Sequence, residues 1–287
     1  MPELPEVETI RRDLAAHILH KKIIHVEVTR SKVVRGGVEP LLRVLVGHMF
    51  SAVERRAKLL LFCVTDSPVT VLVHLKMTGQ LIYTSRSLVI AGGHSQSDFI
   101  AALPNQHTRV TITFADQSKL FFNDMRLFGY MQLATLVEKE RVLSGYGIEP
   151  LTAGFTLPAF RKCFVRRKTT LKAVLLNQAI IAGIGNIYAD EICFDARIRP
   201  SRPVHHLTDG EIKRLFVSTT RILKLAIEKR GTTFNTFIDG AGNKGNFLAF
   251  LKVYGRDGEM CRRCRKTILL KKKVASRGTV YCPTCQT

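Results

Sequence analysis

The sequence predicts an α+β fold in two domains, and three observations carry that prediction. One amphipathic helix opens the chain and is followed by short segments rich in Val, Ile, Leu and Phe; helical periodicity takes over near Pro150; and four of the seven cysteines fall beyond residue 260. The order reads as an N-terminal β-sandwich with a leading helix, a helical second half, and a terminal cysteine module.

Val7, Ile10, Leu14 and Ile18 recur at helical spacing with Glu8, Arg11, Arg12 and Asp13 between them, so a helix is expected near residues 5–20. Segments 23–29, 44–53, 59–64, 69–74, 109–114, 119–123 and 130–135 have strand composition, and Val69, Val71 and Val73 alternate with Thr70, Leu72 and His74. About eight strands are expected. The stretch 85–107, with Gly92-Gly93 and Pro104, reads as a long exposed loop. Beyond it, Leu157–Val165, Thr170–Leu176 and Asn186–Ala196 suit helices. The longest, 209–229, opens on a Thr208…Glu211 capping box and carries an apolar ladder of Ile212, Leu215, Phe216, Thr219, Ile222, Leu223, Ala226 and Ile227. The expected division is 1–135 for the sandwich, 136–150 for a linker, 151–250 for the helical domain and 251–287 for the cysteine module. No internal repeat is visible.

At 287 residues and 46% hydrophobic content the chain can fill two cores of ordinary domain size. Lys and Arg number 44 against 23 acidic residues, a formal charge of +21. Such an excess points to a phosphate-bearing polyanion rather than to a generically basic surface. No run of about 18 apolar residues is present, so no membrane span and no membrane partner are expected. The opening Met1-Pro2-Glu3-Leu4-Pro5-Glu6 lacks the basic segment and apolar run of an export signal, so the expected location is cytoplasmic. Cys63, Cys163 and Cys193 stand alone in apolar contexts, and the odd total argues against a disulfide framework.

Cys261-x2-Cys264-x17-Cys282-x2-Cys285 offers two chelating pairs joined by a span long enough for a β-hairpin. Four thiolates close a tetrahedral site and leave no position for a reactive water, so one structural zinc ion is expected; a redox pair is the competing reading. Lys266, Lys271, Lys272, Lys273 and Arg277 load that hairpin with cations suited to nucleic acid. Between two helical segments, Gly183-Ile184-Gly185-Asn186 forms a helix start whose backbone amides and Asn186 amide can meet a phosphate, although ordinary turn chemistry would use the same residues. Met1 before Pro2 is a context in which the initiator is usually removed. The secondary amine so freed titrates near pH 8, and Glu3 and Glu6 stand close enough to move protons around it; read alone, the same residues form a surface terminus with helix-capping acids.

The opening Met1-Pro2-Glu3-Leu4-Pro5-Glu6-Val7-Glu8-Thr9 closely resembles the start of formamidopyrimidine-DNA glycosylases. The likeness runs along the chain through Arg56-Ala57-Lys58, His74-Leu75-Lys76-Met77-Thr78-Gly79, Asn123-Asp124-Met125-Arg126-Leu127-Phe128-Gly129, Gln178 to Glu191, Gly231-Thr232-Thr233, and Arg277-Gly278-Thr279 leading to Cys282-Pro283-Thr284-Cys285-Gln286. The resemblance implies a sandwich domain that carries the chemistry, a C-terminal domain with a helix-two-turn-helix and a β-hairpin zinc finger, and a monomeric enzyme clamping duplex DNA that contains oxidised purines or abasic sites. It implies a bifunctional glycosylase and abasic-site lyase of base excision repair, working at nucleoid DNA. Matched residue by residue, Pro2 is the nucleophile toward C1′, Glu3 the proton donor and acceptor, and Glu6 its support. Lys58 and Arg277 belong to the same catalytic group while also binding DNA phosphate, together with His74 and Asn186. Met77, Arg126 and Phe128 match the trio that fills the gap left by a flipped base. Two alternatives stay open: the sister endonuclease VIII activity on oxidised pyrimidines, whose members usually have Gly where Leu4 stands, and a zinc-ribbon protein that binds lesions without cutting. The chain departs from the family pattern at Arg265, where Gly is common, at Asn177, where Asp is common, and at Asn235-Thr236, where Arg-Asp is more usual.

Overall fold

The prolines and acids at the start of the chain act as helix-starting residues. Glu3 caps helix α1 (Leu4–Ile18), Pro5 sits in its first turn, and Glu6 returns its carboxylate to the Glu3 amide at 2.9 Å, which completes a capping box. Val7, Ile10, Leu14 and Ile18 all point into the core, as their spacing predicts. The structure, a computed structural model, describes residues 1–93, 102–232 and 247–287. By contacts the chain divides into two units, Met1–Ser144 with Lys229–Asn246, and Gly145–Glu228 with Phe247–Thr287.

Among the described residues the first unit is a sandwich of ten strands in two sheets of five. β1 (Ile23–Val28), β8 (Thr108–Phe114), β9 (Lys119–Asp124), β6 (Gly79–Thr84) and β7 (Val89–Gly93) form one sheet in that order. β2 (Val34–Arg35), β10 (Tyr130–Ala134), β5 (Thr70–His74), β4 (Leu59–Val64) and β3 (Phe50–Arg56) form the other. Leu120 and Phe122 enter the main core while Phe121, between them, packs on the opposite face with Ile82 and Ala91, the two-residue period expected of a strand.

Three expectations need correction. The segment 44–53 is not one strand: α2 (Val38–Leu45) ends inside it, held by Leu41 and Leu45 buried one turn apart, and β3 begins only at Phe50. The stretch 85–107 is not all loop, because Val89–Gly93 pairs with β6 from Thr84↔Val89 to Gln80↔Gly93. Residues 94–101 of that stretch lie outside the described residues, as do Asn235 and Thr236. Among the described residues the sandwich accordingly has ten strands rather than about eight.

After α3 (Leu136–Ser144), which buries no residue, the second unit assembles α4 (Leu157–Lys162), α5 (Leu171–Leu176), α6 (Asn186–Asp195) and α7 (Asp209–Glu228). The Thr208–Glu211 capping box forms as expected, with the Thr208 amide 2.8 Å from the Glu211 carboxylate. Ile212, Leu215, Leu223 and Ala226 of α7 pack with Tyr188, Ala189, Ile192 and Cys193 of α6. β11 (Leu270–Val274) and β12 (Arg277–Tyr281) make the terminal hairpin. Among the described residues no helix is long and apolar enough to cross a membrane.

Candidate functional site

At the start of α1 two carboxylates are almost wholly buried, Glu3 and Glu6. Burying a carboxylate is costly unless donors surround it. Glu6 is met by the Glu3 amide at 2.9 Å, the Thr232 amide at 2.9 Å and the Thr232 hydroxyl at 3.1 Å. The approach of Thr232 depends on Gly231, which has φ +77 and whose absent Cβ would lie 2.7 Å from Glu6 Oε1. Any other residue would displace the carboxylate or the turn. Pro2 is buried directly before this corner. Burial lowers the chain's α-amino group, here on Met1, below its ordinary value; Glu3 and Glu6 pull it back up and the positive charge of Lys58 lowers it further. The amine, both carboxylates and Lys58 therefore share one electrostatic neighbourhood.

Lys58 lies in the two-residue turn between β3 and β4, and its neighbour in space is the end of β5, where Leu59 pairs with His74. Burial, then the charges of Lys76, Lys58 and Arg35, bring His74 down to about 3. Its ring is neutral at physiological pH. His74 Nδ1 accepts the Lys76 amide at 3.0 Å, which places the ring proton on Nε2. The side chain is thus a neutral donor held among cations. Arg35 was not foreseen from the sequence; its guanidinium covers the Tyr130 ring at 3.6 Å, and Tyr130 pairs with His74 across the sheet.

Met77, Arg126 and Phe128 sit on two neighbouring turns and are exposed, Met77 at 38% and Phe128 at 51%. Large apolar side chains left in water at a turn tip need a reason. The turns are rigid underneath. Asp124, fully buried, accepts the Thr78 hydroxyl from one turn, and the Arg126 amide at 3.2 Å and the Gly129 amide at 2.6 Å from the other. The Arg126 guanidinium stands 4.7 Å over the Phe128 ring. Asp124 stands within the Asn123–Gly129 motif, and its bracing function depends on Thr78, far away in sequence.

In the second unit the turn from Gln178 to Asn186 is stitched by one side chain. Gln178 donates to the Leu176 carbonyl at 2.9 Å and the Ile184 carbonyl at 2.8 Å, and accepts the Gly183 amide at 2.8 Å, where φ is +94. Asn177 Oδ1 accepts the Ala179 amide at 3.0 Å, so this departure from the family pattern keeps a local contact. Asn186 opens α6 and donates to the Gly278 carbonyl at 3.2 Å, which ties it to the residue after the exposed Arg277. Below them Lys172 and Asp190, both fully buried, pair at 2.6 Å, and Lys172 also donates to Thr279 Oγ1 at 2.7 Å while Asp190 accepts the Val280 amide at 3.0 Å. Glu191, next in α6, accepts the amides of Lys252, Val253 and Tyr254 at 2.9 to 3.0 Å. These buried anchors carry no sequence signature beyond an acid pair in a helix.

The four thiols Cys261, Cys264, Cys282 and Cys285 all lie within 4.8 Å of one another, with Cys261 to Cys285 at 3.9 Å and Cys264 to Cys282 at 3.8 Å. A tetrahedron built on ~2.3 Å zinc–sulfur bonds has edges of about 3.8 Å, so the set fits one structural zinc. The Arg263 amide at 3.4 Å from Cys261 Sγ and the Cys285 amide at 3.3 Å from Cys282 Sγ moderate the charge on two of the sulfurs. Arg265 occupies the left-handed region at φ +53, the conformation that makes Gly common there.

One backbone feature recurs at four of the predicted residues. Lys58, Met77, Phe128 and Arg277 each follow a non-glycine residue with positive φ: Ala57 at 54°, Lys76 at 50°, Leu127 at 56° and Ser276 at 61°. Each costs roughly 1 kcal/mol, and at Ser276 the conformation is that of the two-residue hairpin turn Ala275-Ser276 between β11 and β12.

Comparison with known proteins agrees along the whole chain. Residues 1–131 match a family model described as the formamidopyrimidine-DNA glycosylase N-terminal domain, 146–238 the H2TH domain of the same enzymes, and 258–287 a zinc finger found in FPG and IleRS. The chain is 39% identical to the formamidopyrimidine-DNA glycosylase of Desulfitobacterium hafniense over 100% of both chains. Among solved structures it is similar to the Lactococcus lactis Fpg complexed with abasic-site DNA, with a TM-score of 0.87 and 34% identity over 99% of each chain. It is likewise similar to the wild-type L. lactis protein complexed with DNA containing N7-benzyl-Fapy-dG, with a TM-score of 0.86 and 33% identity over 100% of each chain.

Proposed function

The chain belongs to the formamidopyrimidine-DNA glycosylase family, and from that premise we propose that it excises oxidised purines, 8-oxoguanine and formamidopyrimidines, from duplex DNA and then cleaves the strand, acting as a monomer. The observation that supports this most directly is the α-amino group lowered by burial beside Glu3, Glu6 and Lys58. With Met1 removed, Pro2, itself buried, becomes the α-amine beside the same carboxylates, and burial favours its neutral form. It attacks C1′ of the damaged nucleotide and the base leaves with the glycosidic electron pair, taking a proton delivered within the site. Ring opening of the sugar gives an iminium ion on Pro2. Glu3 serves the proton transfers, and Glu6, fixed by Thr232, holds the helix start in place. Loss of a C2′ proton expels the 3′ phosphate, a second elimination expels the 5′ phosphate, and hydrolysis of the imine returns the amine.

Reaching C1′ requires the nucleotide to leave the stack, at a cost of a few kcal/mol. Met77 and Phe128, already exposed on braced turns, fill the gap, and Arg126 meets the unpaired base opposite. Lys58, the neutral His74 donor, Asn186 and Arg277 bind the backbone phosphates around the lesion. Zinc supplies the rigidity of the hairpin that presents Arg277.

The test combines intact mass with chemical trapping. Protein whose mass shows loss of Met1 is incubated with duplex carrying 8-oxoguanine opposite cytosine in the presence of borohydride, and a covalent protein–DNA adduct is expected. No adduct from protein with a verified Pro2 terminus overturns the scheme. A parallel duplex carrying thymine glycol reads the substrate class, and faster excision there would move the assignment to oxidised pyrimidines.

A further inference from the structure

A cavity lies in the second unit, remote from Asn186 and from Arg277. It opens at the C-terminal end of α6, about 13 Å along the helix from Asn186, and at the Cys261–Cys264 end of the cysteine module rather than at the hairpin turn. Its volume is about 290 Å³. That is the low end for a small-molecule site and suits one or two side chains. The floor is apolar, made by Phe194, Ile222, Leu225, Phe247 and Phe250.

The rim is cationic and pre-set. Arg262 donates to the carbonyls of Ala249 at 3.3 Å and Leu251 at 3.2 Å, and Arg263 donates to the Phe194 carbonyl at 2.7 Å with its guanidinium 4.0 Å over the Phe194 ring. Carbonyls and a ring orient these groups without neutralising them. Lys252 adds a third positive charge. The two acids at the rim are already engaged: Asp195 pairs with Arg221, and Glu191 is held by the three backbone amides described above. The result is an apolar socket whose rim carries four cations, Arg221, Lys252, Arg262 and Arg263, against two acids, Asp195 paired with Arg221 and Glu191 feeling the charge of Lys252, so positive charge is in excess there.

We infer that this socket docks an acidic peptide segment of a partner protein, with one aromatic or large aliphatic side chain in the floor and carboxylates on Arg262, Arg263 and Lys252. Charge complementarity selects the acidic chain, and the apolar floor selects the anchor. A single nucleic-acid strand, with phosphates on the same cations and a base on the exposed Phe250 ring, is the competing occupant, and competition by oligothymidylate separates it. Holding the guanidiniums in place beforehand removes part of the ordering cost of binding.

The probe is a fluorescein-labelled peptide Gly-Asp-Asp-Phe-Asp-Asp-Gly, titrated by anisotropy into zinc-loaded protein saturated with a duplex containing an abasic analogue, so that the principal DNA surface is occupied. Saturable binding is expected, weakened at least about tenfold when Ser replaces the peptide's Phe. Phe250→Ala, which trims an exposed ring, and Lys252→Gln, which removes one rim charge, are each expected to weaken it about threefold or more while duplex affinity and lesion cleavage stay unchanged. Equal binding of the Phe and Ser peptides, displacement by an added single-stranded oligothymidylate, or indifference to both variants overturns the inference.

Discussion

The two units hold their functional side chains by different means. In the first, two groups of them rest on a buried carboxylate that belongs to the protein: the buried N-terminal corner on Glu6, and the exposed Met77 and Phe128 turns on Asp124. In the second, Arg277 rests on a hairpin held by four thiolates and, from beneath, by the Lys172–Asp190 pair. The first arrangement is complete once the chain folds; the second depends on an ion from solution. The two supports are therefore separable by experiment, and with them, on the proposed function, the amine site of the first unit and the Arg277 contact of the second.

The strongest break is metal removal. A chelator that extracts zinc is expected to unfold the ribbon, since structural zinc contributes on the order of 10 kcal/mol, and to reduce duplex affinity at least about a hundredfold while leaving the sandwich folded by circular dichroism. Loss of both units together would mean that the separation is wrong. Next is Glu3→Gln, which should lower single-turnover excision by about a thousandfold with duplex affinity unchanged, the size expected of a general acid–base group. Asp124→Ala should cost about 3 kcal/mol in urea unfolding, because it removes the buried acceptor of the Thr78 hydroxyl and the Gly129 amide and leaves the Arg126 amide only the Thr78 oxygen, and should affect the first unit alone. A smaller effect comes from pH. His74 is lowered to about 3 when folded against about 6.5 when unfolded, so its contribution is intact above pH 6.5 and lost as pH falls, by about 2 kcal/mol at pH 5. His74→Asn should remove that part of the acid sensitivity, measured as the difference in unfolding free energy between pH 7 and pH 5. The smallest is Arg265→Gly, expected to stabilise the zinc-loaded ribbon by up to about 1 kcal/mol by relieving the φ of +53.

Much of the fold was legible because it rests on periodicity. α1 and α7 lie where their apolar ladders put them, and the four cysteines announced their cluster by spacing alone. β7 was hidden because Gly92-Gly93 in a strand looks like a turn, and α2 because its two buried leucines fall in a run rich in valine. At the candidate site the exposed residues were legible through motif resemblance. The groups that fix them were not: Asp124 meets Thr78 across two strands, Glu6 meets Thr232 from the far end of the chain, and Lys172 meets Asp190 only once α5 and α6 have packed. Nor do Ala57, Lys76 or Leu127 advertise a left-handed backbone, since none is a residue type that favours it.

Gly231 has a bearing on protein engineering. Exchanging glycine for alanine is a standard route to heat resistance, because it narrows the disordered ensemble and commonly gains 0.4 to 1 kcal/mol, roughly. At this position a methyl group would intrude within 2.7 Å of the Glu6 side chain. A thermostabilised library built on that rule would tend to discard its active members here, so position 231 should be held constant from the first round.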